Sequence, residues 1–294
     1  MAAANPGAAA AVVVPEALRG VKALTFDVFG TVVDWRSSVE AELAQRAAEK
    51  LALPASASLP AAAGARLAAM TSGDWAAFAQ EWRESYYAFT RGFVPGSSSA
   101  WKDVDEHHLE SLLALLDARG LADVFSEDEA RELSRAWHRL RPWPDAVPGL
   151  RRLGAARFVT ATLSNANREL LSDLDAYAGG GGLGFARILS AADFTAYKPH
   201  PRTYLGAAAA LGLRPDEVAM VAAHLGDLAG ARACGLRTIY VERPGEEAWD
   251  PAEERYVEAR RWVDLWVAEQ EGGFLEVARR LGIADETSRP GEVE

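Results

Sequence analysis

The sequence is poor in the residues that cross-link a chain or bind zinc. It has one cysteine, Cys234, and five histidines among 294 residues. One cysteine cannot form an internal disulfide, and it argues against a cysteine-based zinc site. This composition is typical of a reducing compartment, and we predict a cytoplasmic location. Four histidines lack metal-ligand spacing and are predicted to lie on the surface, namely His107, His108, His138 and His200.

A net positive charge and long apolar runs are also missing. The net charge of −11 argues against nucleic acid or an anionic membrane as a partner. The apolar stretch within residues 1–20 is too short to cross a bilayer, and it has no basic residue before Arg19, unlike a secretory signal. We therefore expect no nucleic-acid and no membrane partner, and we predict a poorly ordered N-terminal tail at residues 1–17 and a C-terminal tail at residues 286–294.

Nucleotide-binding fingerprints are absent from the sequence as well. It has neither a P-loop nor a GxGxxG motif, and the glycines at 179–182 follow no predicted strand, so we interpret them as a flexible loop. The length, with 49% hydrophobic and 25% charged residues, fits one large globular domain or two modest ones.

The stretch around Asp27 is the best-defined feature that the sequence does contain. Val21–Phe26 is a short, mostly apolar run, which predicts a strand buried on both faces, and Asp27 follows it directly. Ligands of open α/β sheets bind beyond the carboxyl ends of the strands. A carboxylate there can be held by the turn at Gly30-Thr31 while one of its oxygens attacks a substrate. The alternative is an aspartate that only caps a helix.

Residues 36–144 have helical spacing without any strand alternation. The predicted helices are Val39–Arg46, Trp75–Phe89, Leu109–Leu121 and Glu127–Leu140, with a linker at Pro54–Gly64. After Asp145 the pattern changes, and strands alternate with helices. The predicted strands are Arg157–Leu163, Ala186–Ser190, Val218–Ala222, Thr238–Val241 and Trp262–Val267.

This alternation indicates a parallel sheet with right-handed crossovers. We predict an α/β fold, in which a Rossmann-like parallel sheet with helices on both faces is formed by residues 18–35 and 145–285. Residues 36–144 are predicted to be an inserted helical cap domain over the end of the first strand. Polar side chains follow several strands and should meet at one edge of the sheet; they are Asp27 with Thr31, Ser164 with Asn165, Lys198, and His224 with Asp227.

Four short sequences at these positions resemble those of the haloacid dehalogenase superfamily. They are DVFGT (27–31), TLSN (162–165), YKP (197–199) and AAHLGDLAGARACGL (222–236). Within the superfamily the chain resembles the type II (S)-2-haloacid dehalogenases, over about residues 21–281. The resemblance implies a hydrolase acting on a small-molecule 2-haloacid, and it makes a homodimer an expectation.

The resemblance also implies roles for the residues at the strand ends. Asp27 would attack C2 of the haloacid, expel halide and form an ester that water then hydrolyses. Lys198 would keep Asp27 ionised, since an opposite charge lowers a carboxyl pKa. Thr31 and Ser164 would hydrogen-bond the nucleophile or the substrate carboxylate; the alternative is that they are turn and cap residues.

Further residues are expected around the halide and the substrate. Arg83, in a predicted cap helix, resembles the arginine that receives the halide, a role suited to its permanent charge; the alternative is a solvated surface arginine. Asn165 would share the halide site. Trp101 would form an apolar wall, and Tyr204 matches a tyrosine near the site, although core packing is an alternative for both.

Two positions distinguish the chain from phosphatases of the superfamily. Those enzymes protonate the leaving alkoxide with a second aspartate, where this chain has Phe29, an apolar residue that a departing halide tolerates. A Mg²⁺ ligand of those phosphatases falls at Ala223. We therefore predict no metal and no cofactor. The rival interpretations are a phosphatase of the superfamily and a non-catalytic binding protein that keeps the fold.

The last motif also departs from the better-known dehalogenases, which have serine and asparagine where this chain has Ala222 and His224. A neutral imidazole near pH 7 can accept a proton from water. We predict that His224, with Asp227, prepares the water that cleaves the ester, or that Asp227 is itself the base. The alternative is that His224 only fills the space of the asparagine.

Overall fold

The computed structural model describes residues 13–53, 59–96 and 101–283. Its main sheet consists of β1 (Ala23–Phe26), β4 (Val159–Thr162), β5 (Val218–Ala222), β6 (Arg237–Val241) and β7 (Leu265–Val267). These strands are parallel, in the order β4-β1-β5-β6-β7. β1 is paired on both sides, and its residues are all buried because apolar cores cover both faces. Asp27 therefore lies directly after the carboxyl end of an inner strand of the sheet.

A helical cap is inserted between β1 and β4. Its helices are α1 (Trp35–Leu51), α2 (Ala61–Ala69), α3 (Ser72–Gly92), α4 (Val104–Ala118) and α5 (Glu127–Ser134). The chain enters and leaves the cap through an antiparallel pair of short strands, β2 (Val33–Asp34) and β3 (Arg141–Pro142). The core of the cap is aromatic: Trp82 and Trp137 pack edge to face, and the ring of Phe29 lies 5.6 Å from that of Trp137. Because Phe29 belongs to the loop after β1, this packing places the cap next to Asp27.

Helices cover both faces of the sheet, as the sequence predicts. They are α6 (Ala146–Ala156), α7 (Arg168–Tyr177), α8 (Pro201–Ala210), α9 (Leu225–Ala233), α10 (Glu254–Trp262) and α11 (Gly273–Arg280). Leu24 and Phe26 of β1 join one apolar core, which includes Phe274 of α11. Ala23 joins the other, which includes Leu228 of α9, because successive side chains of a strand point to opposite faces. The predicted α/β fold with a parallel sheet and an inserted helical cap is confirmed.

The segment Ala186–Ser190 is not a strand, although the sequence predicts one. It makes only isolated bridges beside β4. The hydroxyl of Thr162 donates to the Leu189 carbonyl and accepts from the Leu189 amide, both at 2.9 Å. A side chain thus replaces part of the backbone ladder that a regular strand would need.

Several element boundaries differ from those predicted. α2 begins inside the predicted linker at 54–64, of which residues 54–58 lie outside the described residues. The predicted helix Glu127–Leu140 is α5 followed by a 3-10 turn at Arg135–His138. α10 was not predicted, because only two of its residues are buried and its apolar stripe is too thin to show a period. The 3-10 turn Glu16–Leu18 extends into the predicted N-terminal tail, while residues 1–12 and 284–294 lie outside the described residues.

Two histidines that were predicted to lie on the surface are buried instead. His108 stacks on Trp137 with ring centroids 4.8 Å apart. His138 lies between Asp105 of α4, at 3.1 Å, and Asp173 of α7, at 2.7 Å. The prediction was wrong because the partners of both rings come from distant parts of the chain.

Candidate active site

Asp27 is a buried carboxylate with three polar partners at the end of β1. Its Oδ2 accepts a hydrogen bond from the Thr31 hydroxyl at 2.8 Å and lies 3.0 Å from Nδ1 of His224. Its Oδ1 accepts from Nζ of Lys198 at 2.8 Å. Burial would raise the pKa of Asp27, but the charge of Lys198 and the hydrogen bond from His224 outweigh it and hold the pKa well below its usual range. Asp27 is therefore ionised and available as a nucleophile.

Lys198 joins the two aspartates of the site. Besides Asp27 it binds Asp227, with 2.6 Å between Nζ and Oδ2, and its side chain is 7% exposed. Asn165 fixes the backbone of Lys198, because its Oδ1 accepts from the Lys198 amide at 2.7 Å. Burial and the nearby charge of Asp27 raise the pKa of Asp227, although Lys198 opposes this shift. One ammonium group thus allows two carboxylates to share a buried space.

Tyr204 hydrogen-bonds the carboxylate oxygen of Asp227 that Lys198 does not contact. Its hydroxyl donates to Oδ1 at 2.6 Å. Both oxygens of Asp227 are therefore engaged, and within the described residues no hydrogen bond joins the side chains of Asp227 and His224. The predicted partnership of His224 and Asp227 is therefore not formed through a side-chain contact, and the orientation of the ring depends on other groups.

The His224 ring is held by two other carboxylates. Its Nδ1 faces Asp27, and its Nε2 lies 3.2 Å from Oε2 of Glu246. Burial would lower the pKa of His224, but the hydrogen bonds to these two carboxylates raise it well above the usual value. Because each ring nitrogen faces a carboxylate, the resting site favours the imidazolium form over the neutral imidazole considered from the sequence.

A cavity of about 520 Å³ lies between the core and the cap and reaches these groups. Its lining includes Asp27, Phe29, Asn165, Lys198, His224 and Asp227 from the core, and Trp35, Arg83, Tyr86 and Tyr87 from the cap. The cavity therefore brings together the cap arginine and five of the strand-end residues named from the sequence, Asp27, Asn165, Lys198, His224 and Asp227. A concave space with convergent charged groups is where a small ligand binds.

Arg83 is a buried cation among the arginines that the cap contributes to this cavity. It is 3% exposed, and its Nη2 donates to the Tyr87 hydroxyl at 3.0 Å. Within the described residues, Nε and Nη1 have no hydrogen-bond partner. The guanidinium lies 5.0 Å from the ring of Phe29 and 4.4 Å from that of Tyr87. Buried donors without partners are costly, so an anion in the cavity would complete this group.

Thr31 and Tyr204 do not line the cavity but hydrogen-bond Asp27 and Asp227, whereas Ser164 and Trp101 neither line it nor hydrogen-bond these carboxylates within the described residues. The Ser164 hydroxyl accepts from the Ala166 amide at 3.2 Å, which is the turn role considered as its alternative. Trp101 stacks on Tyr197 with ring centroids 4.5 Å apart, in agreement with core packing. The apolar wall of the cavity is formed by Phe29 and Trp35.

Glu246 and Tyr87 are site residues that the sequence analysis missed. Glu246 lies five residues after the end of β6, in the loop at the carboxyl edge of the sheet, so a search of that whole loop could have found it. Tyr87 lies four residues after Arg83 on α3, the spacing at which helical side chains touch. Across the described parts of the chain, no group of three or more His, Cys, Asp or Glu residues is arranged to hold a metal ion.

A helical cap over an aspartate at the end of the first strand of a parallel sheet is the arrangement of the haloacid dehalogenase-like hydrolases. The model of this family matches residues 21–235, and the chain belongs to the family. The resemblance found in the four short motifs is thereby confirmed.

Within this family, the chain is similar to several proteins named as 2-haloacid dehalogenases. The chain is 29% identical over 266 residues to (S)-2-haloacid dehalogenase 4A of Burkholderia cepacia, covering 84% of this chain and 94% of the relative. It is 34% identical over 172 residues to (S)-2-haloacid dehalogenase 1 of Pseudomonas sp. (strain CBS-3), covering 58% and 73%. Among solved structures, the defluorinating L-2-haloacid dehalogenase Rha0230 is 32% identical with a TM-score of 0.72, covering 92% of this chain and 98% of that one.

Proposed function

We propose that the protein hydrolyses short 2-haloacids to 2-hydroxyacids through an ester on Asp27, without a metal ion. The observation that carries the proposal is the ionised Asp27, held by Lys198 in the same cavity as a buried arginine with unpaired donors. The first group is a nucleophile and the second is a receptor for an anion. The activity in the names of the relatives supports the same reaction.

In the first half-reaction, a carboxylate oxygen of Asp27 attacks C2 of the haloacid. The bond from oxygen to C2 forms as the carbon–halogen bond breaks, and the halide leaves with the bonding electron pair. Arg83 receives the halide, together with Asn165. Correct placement of a carboxylate against the carbon–halogen bond is worth about 7–11 kcal/mol at best. Thr31 and Lys198 supply that placement here.

In the second half-reaction, water attacks the carbonyl carbon of the Asp27 ester. Ester formation removes the negative charge of Asp27, so His224 loses one of the two carboxylates that keep it protonated. The pKa of His224 then falls, and the neutral ring accepts a proton from the attacking water. Asp227 has both oxygens engaged and assists only by holding Lys198.

The test is halide release from a panel of 2-haloacids, run beside a phosphatase assay, with and without EDTA. We expect halide from at least one 2-haloacid, undiminished after exhaustive EDTA treatment, and no phosphate release. Activity that collapses with EDTA and returns with Mg²⁺ would favour the phosphatase. Phe29 and Ala223 support the dehalogenase in this comparison, because neither can act as a proton donor or as a metal ligand.

Three further predictions accompany this proposal. They are a cytoplasmic location, a homodimer, and domain boundaries with a cap at 36–144 inside a core of 18–35 and 145–285. The pairing of β2 with β3 at the entrance to the cap supports these boundaries. Among the described residues, no helix is long and apolar enough to cross a membrane.

A further inference from the structure

Glu246 is a buried carboxylate in the cavity that takes no part in the bond changes of the reaction above. Its side chain is 5% exposed. Oε1 accepts from Nε1 of Trp35 at 2.8 Å, and Oε2 lies 3.2 Å from Nε2 of His224. The carboxylate also lies against the turn after Asp27, where a Cβ on Gly30 would be 2.0 Å from Oε2. These contacts fix Glu246 in one position.

A fixed negative charge is unfavourable in a cavity that binds an anionic substrate, unless the charge is paired with a cation. Within the described residues, the ion-pair partner of Glu246 is His224. The same ring faces Asp27 with its other nitrogen. His224 is therefore held between the nucleophile and a carboxylate that is not consumed in the reaction.

We propose that Glu246 is a positioning residue for the hydrolytic half of the reaction. It keeps the His224 ring in place, in the tautomer that presents a free Nδ1 to the Asp27 ester. This inference rests on the proposed function, because it requires the ester. Once the ester has formed, Asp27 is uncharged and Glu246 is the remaining carboxylate partner of the ring. A hydrogen on Nε2 that donates to Glu246 leaves Nδ1 unprotonated and directed at Asp27, as in other carboxylate–histidine pairs.

The protons balance over the cycle. After ester formation, the imidazolium releases one proton to solvent, which is the net proton of the dehalogenation. Neutral Nδ1 then takes a proton from the attacking water as the hydroxyl adds to the Asp27 carbonyl carbon. That proton passes to the alkoxide oxygen of the departing 2-hydroxyacid. The carboxyl proton left on Asp27 moves to Nδ1, which restores the carboxylate and the imidazolium.

The experiment is burst kinetics on Glu246→Gln with racemic 2-chloropropionate. Glutamine keeps the size of the side chain, but its amide can donate to Nε2 as well as accept from it. The substitution therefore removes the charge and the preference for one tautomer with little change in packing. We expect a burst of one equivalent of halide at a rate within a few-fold of wild type. Steady turnover should then fall by about 100-fold, the size of a typical general-base contribution, with the ester on Asp27 detected by mass spectrometry. The matched control is Glu254→Gln, an exposed glutamate in the first turn of α10, which should match wild type in both phases.

Two results would overturn the inference. One is steady turnover of Glu246→Gln at the wild-type rate without accumulated ester. The other is a halide burst that slows as much as turnover, because Glu246 would then act on the first half-reaction or on the fold.

If Glu246→Gln does not fold, Trp35→Phe removes the Nε1 donor to Glu246 and keeps an aromatic ring against Trp137. It should show the same burst and stall in weaker form, and wild-type kinetics in both phases would also overturn the inference. A wild-type protein that releases no halide from any 2-haloacid would instead remove the proposed function itself.

Discussion

Replacing Arg83 with methionine distinguishes a residue that serves the substrate from one that serves the fold. Arg83 is buried in the cap, and of its guanidinium nitrogens Nη2 donates to Tyr87 whereas Nε and Nη1 lack partners within the described residues. Methionine keeps an unbranched apolar side chain and removes the charge and the donors. We expect Arg83→Met to lose activity while it keeps its stability.

The expected change in stability is a difference between two opposing contributions. A buried donor without a partner costs about 1–3 kcal/mol, so removing two such donors stabilises the fold by about 2–6 kcal/mol. Against this, the guanidinium lies 4.4–5.5 Å from four aromatic rings, of Phe29, Trp35, Tyr86 and Tyr87. Each such contact contributes about 0.5–2 kcal/mol and the contributions do not add fully. The two sums are similar, and we expect the free energy of unfolding to change by less than about 2 kcal/mol.

The expected change in activity is a loss, and it is larger than the expected change in stability. Loss of a donor that stabilises developing negative charge costs about 2.7–4 kcal/mol, which is roughly a 100- to 1,000-fold loss of kcat. Halide release measured by ion chromatography gives the activity, and urea unfolding gives the stability. Arg131→Met, on the exposed surface of α5, is the control for the substitution itself. Near-normal turnover in Arg83→Met, together with a loss of more than about 4 kcal/mol of stability, would make Arg83 a structural residue and refute the reasoning.

Three further outcomes are expected. In a single turnover in ¹⁸O-water with enzyme in excess, the label should enter Asp27, and label found directly in the 2-hydroxyacid would contradict the ester; Asp27→Asn should fold and release no halide. His224→Gln should release about one equivalent of halide and then stall, and steady turnover at the wild-type rate would assign the base role elsewhere. For His138, burial would lower the pKa, but the hydrogen bonds to Asp105 and Asp173 raise it. Its stabilising contribution is therefore complete below the unfolded pKa of about 6.5 and is lost as pH rises through the higher folded pKa. The difference in unfolding free energy between wild type and His138→Gln should shrink over that range, and a difference that is constant with pH would contradict the ion pair.

The central part of the site could be predicted from the sequence because it follows from topology. A strand buried on both faces is visible as a short apolar run, and β1 is such a strand. Parallel strands place their carboxyl ends at one edge of the sheet. Asp27 and Asp227 each follow such an end, so their proximity could be inferred without any knowledge of their contacts.

The protonation of His224 could not be inferred in the same way. It depends on Glu246, which lies 22 residues further along the chain and reaches the ring only through the loop after β6. A local pattern shows a histidine before a helix and nothing about the carboxylates beside it. The same limit applies to His108, whose stacking partner Trp137 belongs to the far end of the cap. Sequence patterns indicate elements and their ends, whereas these states depend on contacts between elements.

One arrangement of charges serves both halves of the proposed reaction. Among the charged residues that line the cavity, the proposed reaction uses three carboxylates, Asp27, Asp227 and Glu246, and three basic groups, Lys198, Arg83 and His224. Attack by Asp27 does not change the number of charges, because the negative charge of the nucleophile leaves on the halide. It moves one negative charge from the Asp27 carboxylate, which lies 3.0 Å from His224, to the halide ion received by Arg83. The ring that held the nucleophile then loses the partner that kept it protonated, while Lys198 keeps Asp227 as a partner. Ester formation is in this way the event that prepares the base for ester hydrolysis.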